Sequence, residues 1–116
     1  MKMRDAWLLL VLTGCGSRAE PEIIHGLPSD FKEGRTELER RAQTSFPIGT
    51  SEKTVEKKLK DQGFDLLPIS TDEQGPWHDA TFERKEFPCI TLWSIRWRVK
   101  ERRVASIWAV YGQQCP

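Results

Sequence analysis

The apolar positions in the first half of the chain recur at helical spacing and predict two helices. On the first helix, apolar residues lie seven and four positions apart on one face: Phe31, Leu38 and Ala42. Ser29 or Asp30 can cap its start, and the pattern continues to about Ser45. Pro47 lacks the amide donor that a helix interior needs, so this helix must end before it.

The second predicted helix begins after Ser51, a residue type suited to cap a helix N-terminus. Val55 and Leu59 lie one turn apart and form its inner face. Gly63 can take the left-handed conformation that commonly ends a helix, and Phe64 would then contact Leu59. We therefore expect a short amphipathic helix that stops at Gly63.

The second half of the chain predicts strands. Residues 65–80 show no regular pattern, and residues 80–87 form a weakly marked first strand with Phe82 facing inward. From Cys89 to Val99, apolar and polar residues alternate, with one face apolar and the other largely cationic. Residues 104–112 are apolar at nearly every position, which predicts a strand that is central in the sheet or covered on both faces.

The turn between the last two strands lies within residues 100–103, where no Asn-Gly or Asp-Gly pair indicates its type. If Arg102 is the middle of a three-residue loop, Trp97 faces Ile107. A two-residue loop would place Trp97 opposite Ser106 and spoil the hydrophobic pairing. The pattern therefore favours the three-residue loop.

The same register places Cys89 directly opposite Cys115. The pairing of apolar side chains and the pairing of the two cysteines therefore favour the same strand register. In an exported protein these two cysteines are expected to form a disulfide. Such a bridge would stabilise the domain by roughly 3 kcal/mol in the chain-entropy model. The alternative is two unpaired, partly buried thiols.

The first residues have the pattern of a bacterial lipoprotein export signal. Residues 6–12 form an apolar run that follows the cationic Lys2 and Arg4 and is too short to span a bilayer. The run leads into the sequence Leu-Thr-Gly-Cys, whose last residue is Cys15, the expected site of lipid attachment. The alternatives are an ordinary secretory signal with a chance cysteine and a start codon assigned too early.

These features divide the chain into a signal peptide (residues 1–14), a lipidated cysteine with a flexible tether (residues 15–28) and a folded α+β periplasmic domain (residues 29–116). In the sorting rule of enterobacterial lipoproteins, Asp after the lipidated cysteine retains the protein in the inner membrane. Gly16 stands there instead. We therefore expect acylated Cys15 to insert into outer-membrane lipid, with the domain facing the periplasm.

The charge balance argues against a nucleic-acid partner. The chain has 18 Lys and Arg against 17 Asp and Glu, and removal of residues 1–14 leaves 16 of each. Five basic residues nevertheless cluster near the predicted hairpin tip: Arg96, Arg98, Lys100, Arg102 and Arg103. Anionic membrane headgroups, lipopolysaccharide or an acidic protein surface could bind there. The alternative is a solvated face whose charges protect the sheet edge.

Candidate catalytic chemistry is sparse. His78 followed by Asp79 could form a base with an orienting carboxylate, and the alternative is an exposed loop pair. The other histidine, His25, lies in the predicted tether. Neither a metal-ligand spacing nor a glycine-rich phosphate loop occurs in the sequence. We expect no catalytic, metal or cofactor site and no small-molecule substrate, and therefore no enzymatic activity.

A short motif opens the second predicted helix: Ile48, Gly49, Ser51, Val55 and Leu59. An apolar residue before a glycine, with Ser, Val and Leu two, six and ten residues after it, resembles the signature of the BamE/SmpA family of small outer-membrane lipoproteins. In that family the helix usually ends in Gly and Pro directly after the leucine. Here residues 60–62 intervene before Gly63 and no proline follows. The cysteine pair and the tryptophan-rich hairpin are further departures.

The resemblance implies an α+β fold in which two N-terminal helices pack on a three-stranded antiparallel sheet. It also implies a role beside the machinery that inserts β-barrel proteins. The same fold occurs in secreted inhibitors of β-lactamase, which are protein-binding modules. We therefore expect an envelope structural or assembly accessory that acts through protein contacts; the alternative is a tethered inhibitor of a periplasmic enzyme. The face with Trp93 and Trp97 should pack on the helices, and a tryptophan left outside would mark a partner surface.

Overall fold

Two helices precede four antiparallel strands in the computed structural model, which describes residues 19–116. After a short 3-10 turn at Glu22–Ile24, the elements are α1 (Phe31–Ser45), α2 (Glu52–Asp61), β1 (Asp65–Asp72), β2 (Gly75–Glu86), β3 (Cys89–Lys100) and β4 (Arg103–Gln114). The strands lie side by side in the order β1-β2-β3-β4. The α+β class and the order of helices before strands agree with the sequence prediction, but the predicted number of three strands was wrong.

The additional strand is β1, which lies in the region expected to be irregular. It is an edge strand, and Leu67 and Ile69 on it are 44% and 60% exposed. Its register against β2 shifts between Leu67 and Ser70, around Pro68. Proline cannot donate to a sheet and is tolerated at a bulge or an outer edge. The proline and the register shift hide the alternation by which a strand is recognised in a sequence.

The segment before α1 packs against the rest of the domain. Ile23 is 6% exposed and belongs to the hydrophobic core. The Arg41 guanidinium on α1 donates hydrogen bonds to the carbonyls of Ile23 at 3.1 Å and His25 at 2.7 Å. Residues 21–27 are therefore part of the packed domain, whereas the sequence pattern placed them in a flexible tether before residue 29.

The end of α2 has the geometry that its sequence predicts. Gly63 has a φ of +100°, in the left-handed region. The Phe64 amide donates to the Leu59 carbonyl at 3.0 Å, which completes a Schellman motif. Ser51 occupies the N-cap position of α2, but its side chain makes no capping hydrogen bond. The predicted end of this helix at Gly63 is confirmed. The predicted side-chain cap at Ser51 was wrong.

The inner face of the sheet is the surface that faces the helices. Trp93, Ile95 and Trp97 of β3 project onto it and are 6%, 0% and 1% exposed. They form one core with residues of both helices, among them Leu38 of α1 and Val55 of α2. The expectation that the face with Trp93 and Trp97 packs on the helices is confirmed.

The hairpin of β3 and β4 has the predicted pairing but a different turn. Trp97 pairs with Ile107, as expected. The turn contains two residues, Glu101 and Arg102, whose φ angles of 53° and 65° are those of a type I′ turn. One residue of β4, Ala105, has no partner on β3 and forms a bulge that restores the register. The predicted three-residue loop was wrong, because the additional residue lies in the strand.

β4 is an edge strand, so the expectation of a central or doubly covered strand was wrong. The loop between α1 and α2 closes part of its free edge: the Gly49 amide donates to the Val104 carbonyl, and the Val104 amide to the Thr50 carbonyl, both at 2.8 Å. The Ala109 amide donates to Glu39 Oε1 at 3.1 Å. These contacts satisfy an edge that would otherwise be open to pairing with other chains.

Candidate functional site

The outer face of the sheet, opposite the helices, carries large apolar side chains. Half-buried or exposed residues on it are Leu67, Trp77, Leu92, Trp108 and Val110. The helices and the 3-10 turn form a core with the inner face, so within residues 19–116 no helix covers the outer face. β4 is apolar on both sides because Ile107 and Ala109 enter the core while Trp108 and Val110 project outward.

Four side chains on the outer face interleave into one strip, named here the Trp–Arg cluster: Trp77, Arg96, Arg98 and Trp108. The guanidinium carbon of Arg96 lies 4.6 Å from the ring centroid of Trp77, and that of Arg98 lies 5.3 Å from the ring of Trp108. The two indole rings are 6.2 Å apart and tilted by 58°. These separations are in the range of favourable cation–π and aromatic contacts. The cluster therefore joins β2, β3 and β4 on the outer face.

A buried polar network supports Arg96 from beneath. Asp79 is 6% exposed, and its Oδ2 lies 3.3 Å from Arg96 Nε. The Thr81 hydroxyl donates to Asp79 Oδ1 at 3.1 Å and shares a hydrogen bond of 2.8 Å with the Ser94 hydroxyl. Arg96 Nε is itself buried and is not aligned for a hydrogen bond to Asp79, so their attraction is chiefly electrostatic. The network restricts the position of the Arg96 side chain.

Arg98 connects the cluster to the turn between β1 and β2. Its guanidinium donates to Asp72 Oδ2 at 2.6 Å and to the Gly75 carbonyl at 2.8 Å. The hydrogen bond from Arg98 holds the pKa of Asp72 below its usual value. Since Arg98 pairs with Asp72 and Arg96 with Asp79, the cluster is close to electrically neutral.

The five basic residues predicted as a binding site have different surroundings in the structure. Arg96 and Arg98 belong to the Trp–Arg cluster and are paired with carboxylates. Lys100 and Arg102 are exposed at the β3–β4 turn. Arg103 donates to the Gly49 carbonyl at 3.0 Å, on the loop before α2. Lys100, Arg102 and Arg103 are all exposed at the tip, whereas Arg96 and Arg98 are half-buried.

The two tryptophans of the cluster were not among the predicted site residues. Trp77 lies in the region expected to be irregular, although β2 begins at Gly75. From Trp77 to Phe82, residues alternate between the outer and inner faces, and this alternation was the signal available in the sequence. Trp108 lies in the strand that was expected to be central in the sheet or covered on both faces, so the pattern did not mark it as exposed.

The candidate pair of His78 and Asp79 is not assembled, because neighbouring residues of a strand face opposite sides of the sheet. The His78 ring stacks on Trp97 on the inner face, with centroids 5.4 Å apart, and its Nε2 lies 4.0 Å from Glu52 Oε2. Asp79 interacts with Arg96 on the outer face. Within residues 19–116, no group of three or more His, Cys, Asp and Glu side chains is arranged to hold a metal ion.

The sulfurs of Cys89 and Cys115 lie at disulfide-bonding distance, with their Cα atoms 4.3 Å apart. Cys15, the predicted lipid attachment site, lies outside the described residues. None of the helices in the described part of the chain is both long and apolar enough to cross a membrane.

An open groove of about 370 Å³ lies between the N-terminal segment and the end of the inner face where β2 and β3 meet. Tyr111 stacks on Trp93 in its wall, with ring centroids 5.7 Å apart. The guanidinium carbon of Arg84 lies 5.3 Å from the ring centroid of Trp93, and Arg84 Nη2 lies 3.2 Å from Glu20 Oε1. Burial, with the nearby Glu86, raises the pKa of Tyr111. The Arg84–Glu20 pair joins the N-terminal segment to β2.

No protein-family model matches this chain, and comparisons with curated proteins and with solved structures found no match. The resemblance of the α2 motif to the BamE/SmpA family therefore remains a prediction from the sequence.

Proposed function

We propose that this chain is a lipid-anchored envelope protein without enzymatic activity, which acts in the periplasm as an outer-membrane accessory through protein contacts made by the outer face. The observation that carries the proposal is the Trp–Arg cluster, which no helix covers within residues 19–116.

The chemistry of the cluster favours a protein partner. Tryptophan and arginine dominate the binding energy of protein interfaces, because they bury a large area and lose little freedom when already held in place. Arg96 is held by Asp79, and Arg98 by Asp72. With both charges balanced, the cluster has little electrostatic attraction for phosphate-rich surfaces such as lipid headgroups or nucleic acid.

The partner can be identified by crosslinking in cells. A photoreactive amino acid at Val110, beside the cluster, would be introduced into the full chain, and captured proteins would be identified by mass spectrometry. The same group at Lys57, an exposed residue of α2, is the matched control. We expect capture from Val110 and not from Lys57.

A Trp77→Ala/Trp108→Ala variant, carrying the same photoreactive group at Val110, tests the cluster itself. Because both rings lie outside the inner-face core, we expect this variant to remain folded, as checked by cooperative unfolding. Loss of two aromatic anchors should lower capture at least about tenfold. Equal capture by the variant, or capture of no protein, would contradict the proposal.

The identity of the captured protein distinguishes an outer-membrane accessory from an inhibitor of a periplasmic enzyme. Barrel-assembly or other outer-membrane proteins would support the accessory role. A single soluble periplasmic enzyme, bound in a one-to-one complex, would instead support an inhibitor.

A further inference from the structure

We propose that the turn between β2 and β3, with the side chain of Phe87 at its tip, contacts the surface of the lipid bilayer that holds Cys15. This inference rests on the proposed function in one respect, the lipid anchor at Cys15. The contact surface is distinct from the outer face, and its occupant is lipid rather than protein.

The described chain begins beside this turn. Glu20 Oε1 lies 3.2 Å from Arg84 Nη2, and Arg84 is near the end of β2. Glu20 also lines the same groove as Glu86, the last residue of β2, and Thr91 of β3. Within residues 19–116, the contacts of the segment around Glu20 are therefore made at the end of the sheet that carries the β2–β3 turn.

The distance from the lipid attachment site to this end is short. Pro21 is buried, so the chain is held by the domain from this residue onward. Only five residue steps separate Cys15 from Glu20, and a fully extended chain spans at most about 18 Å over that number. A domain anchored through Cys15 must therefore keep Glu20 close to the bilayer.

Phe87 is the part of this end best suited to enter the bilayer surface. It is 99% exposed, and the next most exposed large apolar residue among residues 19–116, Ile48, is 76% exposed. Phe87 lies three residue steps after Arg84, which corresponds to about 10 Å along an extended strand. Aromatic side chains partition favourably into the interfacial region of a bilayer. Contact with lipid would remove the Phe87 ring from water.

The basic hairpin tip lies at the other end of the sheet. Arg84 pairs with Thr91, and β3 continues from there to Lys100, about 30 Å further along an extended strand. When the β2–β3 turn rests on the bilayer, Lys100 and Arg102 point into the periplasm. This arrangement replaces the expectation that the tip binds anionic membrane.

The contact can be tested by crosslinking to lipid from two apolar, exposed positions. A photoreactive amino acid would replace Phe87 in one version of the full chain and Ile48 in another, and lipid adducts would be measured by mass spectrometry. Ile48 is the matched control, since the adjacent Gly49 carbonyl accepts a hydrogen bond from Arg103 at the tip end. We expect several-fold more lipid adduct from Phe87. Equal adduct at the two positions, or capture of protein alone by Phe87, would overturn the proposal.

Two further measurements distinguish failure of the proposed membrane contact from failure of the proposed lipid anchor. The mass of the intact protein shows whether Cys15 is acylated, and a Cys15→Ser variant removes the anchor. If Cys15 is acylated and Phe87 gives no lipid adduct, the membrane contact is wrong and the anchor stands. If Cys15 carries no lipid, both are wrong. We expect Cys15→Ser to abolish the Phe87 adduct, because the anchor supplies the proximity.

Discussion

At the residue scale, Gly34 shows that helix propensity alone does not account for a glycine in a helix. A glycine near the start of a helix weakens its first turn. In the structure, an added Cβ at Gly34 would lie 2.6 Å from Tyr111 Cδ2 and 2.7 Å from the Pro28 carbonyl. The missing side chain therefore allows α1 to approach the ring that stacks on Trp93.

Gly34→Ala should destabilise the domain by about 1–3 kcal/mol, because overpacking outweighs the gain in helix propensity. Gly112→Ala is the control, since nothing lies within 4 Å of its added Cβ. That change should alter stability by less than about 0.5 kcal/mol. Urea unfolding of both variants measures the difference, and an equal or greater stability of Gly34→Ala would contradict this account.

Glu37 links α1 to the N-terminal segment through Arg41, which donates to the Ile23 and His25 carbonyls. Hydrogen bonds from Arg40 and Arg41 lower the pKa of Glu37 from 4.5 to about 2. A carboxylate with a lowered pKa stabilises the folded state fully above its unfolded pKa, and this contribution is lost as pH falls toward the folded pKa.

We therefore expect Glu37→Gln to lower the thermal midpoint near neutral pH and to differ less from the unmodified chain as pH falls from about 4.5 to about 2. Asp61→Asn, which removes an exposed helical ion pair with Lys57, serves as the control and should have a small effect. A difference for Glu37→Gln that stays constant or grows in acid would exclude the ion-pair explanation.

At the element scale, the β3–β4 hairpin shows that the alternation of apolar and polar residues predicts the strand register but not the type of turn. The pairing of Trp97 with Ile107 follows from the period of two, because a shift by one residue would expose every core side chain. The same alternation does not predict where the additional residue of the hairpin lies. A three-residue loop and a two-residue turn with a bulge at Ala105 give the same pairing beyond the bulge, so the hydrophobic pattern cannot distinguish them.

The turn leads to a stability prediction. Glu101 and Arg102 both have positive φ, which costs residues other than glycine and asparagine free energy. Glu101→Asn with Arg102→Gly should stabilise the domain by about 1 kcal/mol, measured as a higher urea midpoint at unchanged slope. The same residue types at Glu73 and Gln74, where φ is not positive, should give no gain. A gain in stability at both turns, or at neither, would contradict the assignment of Glu101 and Arg102 to a type I′ turn.

The strands at the two sheet edges were the least predictable elements. β1 carries Pro68 beside a register shift and exposes Leu67 and Ile69, so its pattern is not that of a half-buried strand. β4 has the composition of a central strand but lies at an edge. In both cases the sequence records which residues are apolar, but not which neighbour or solvent each face meets.

At the scale of the whole molecule, the structure separates three surfaces. The inner face holds the core, and the outer face holds the Trp–Arg cluster. The end of the sheet with Phe87 lies beside the first described residues, and β3 separates it from the basic tip by about 36 Å along an extended strand. The proposed partner protein and the proposed membrane contact therefore occupy different surfaces and can be tested with independent variants.

The sequence by itself determined the α+β class, the Schellman stop at Gly63 and the pairing of Trp97 with Ile107. Each depends on residues close in the chain or on a strict period, so local chemistry is sufficient. Only the tertiary structure decided the place of β4 at the sheet edge, the close approach of Gly34 to Tyr111 and the assembly of the Trp–Arg cluster. These depend on which elements lie side by side, and that choice is made by the packing of the whole chain.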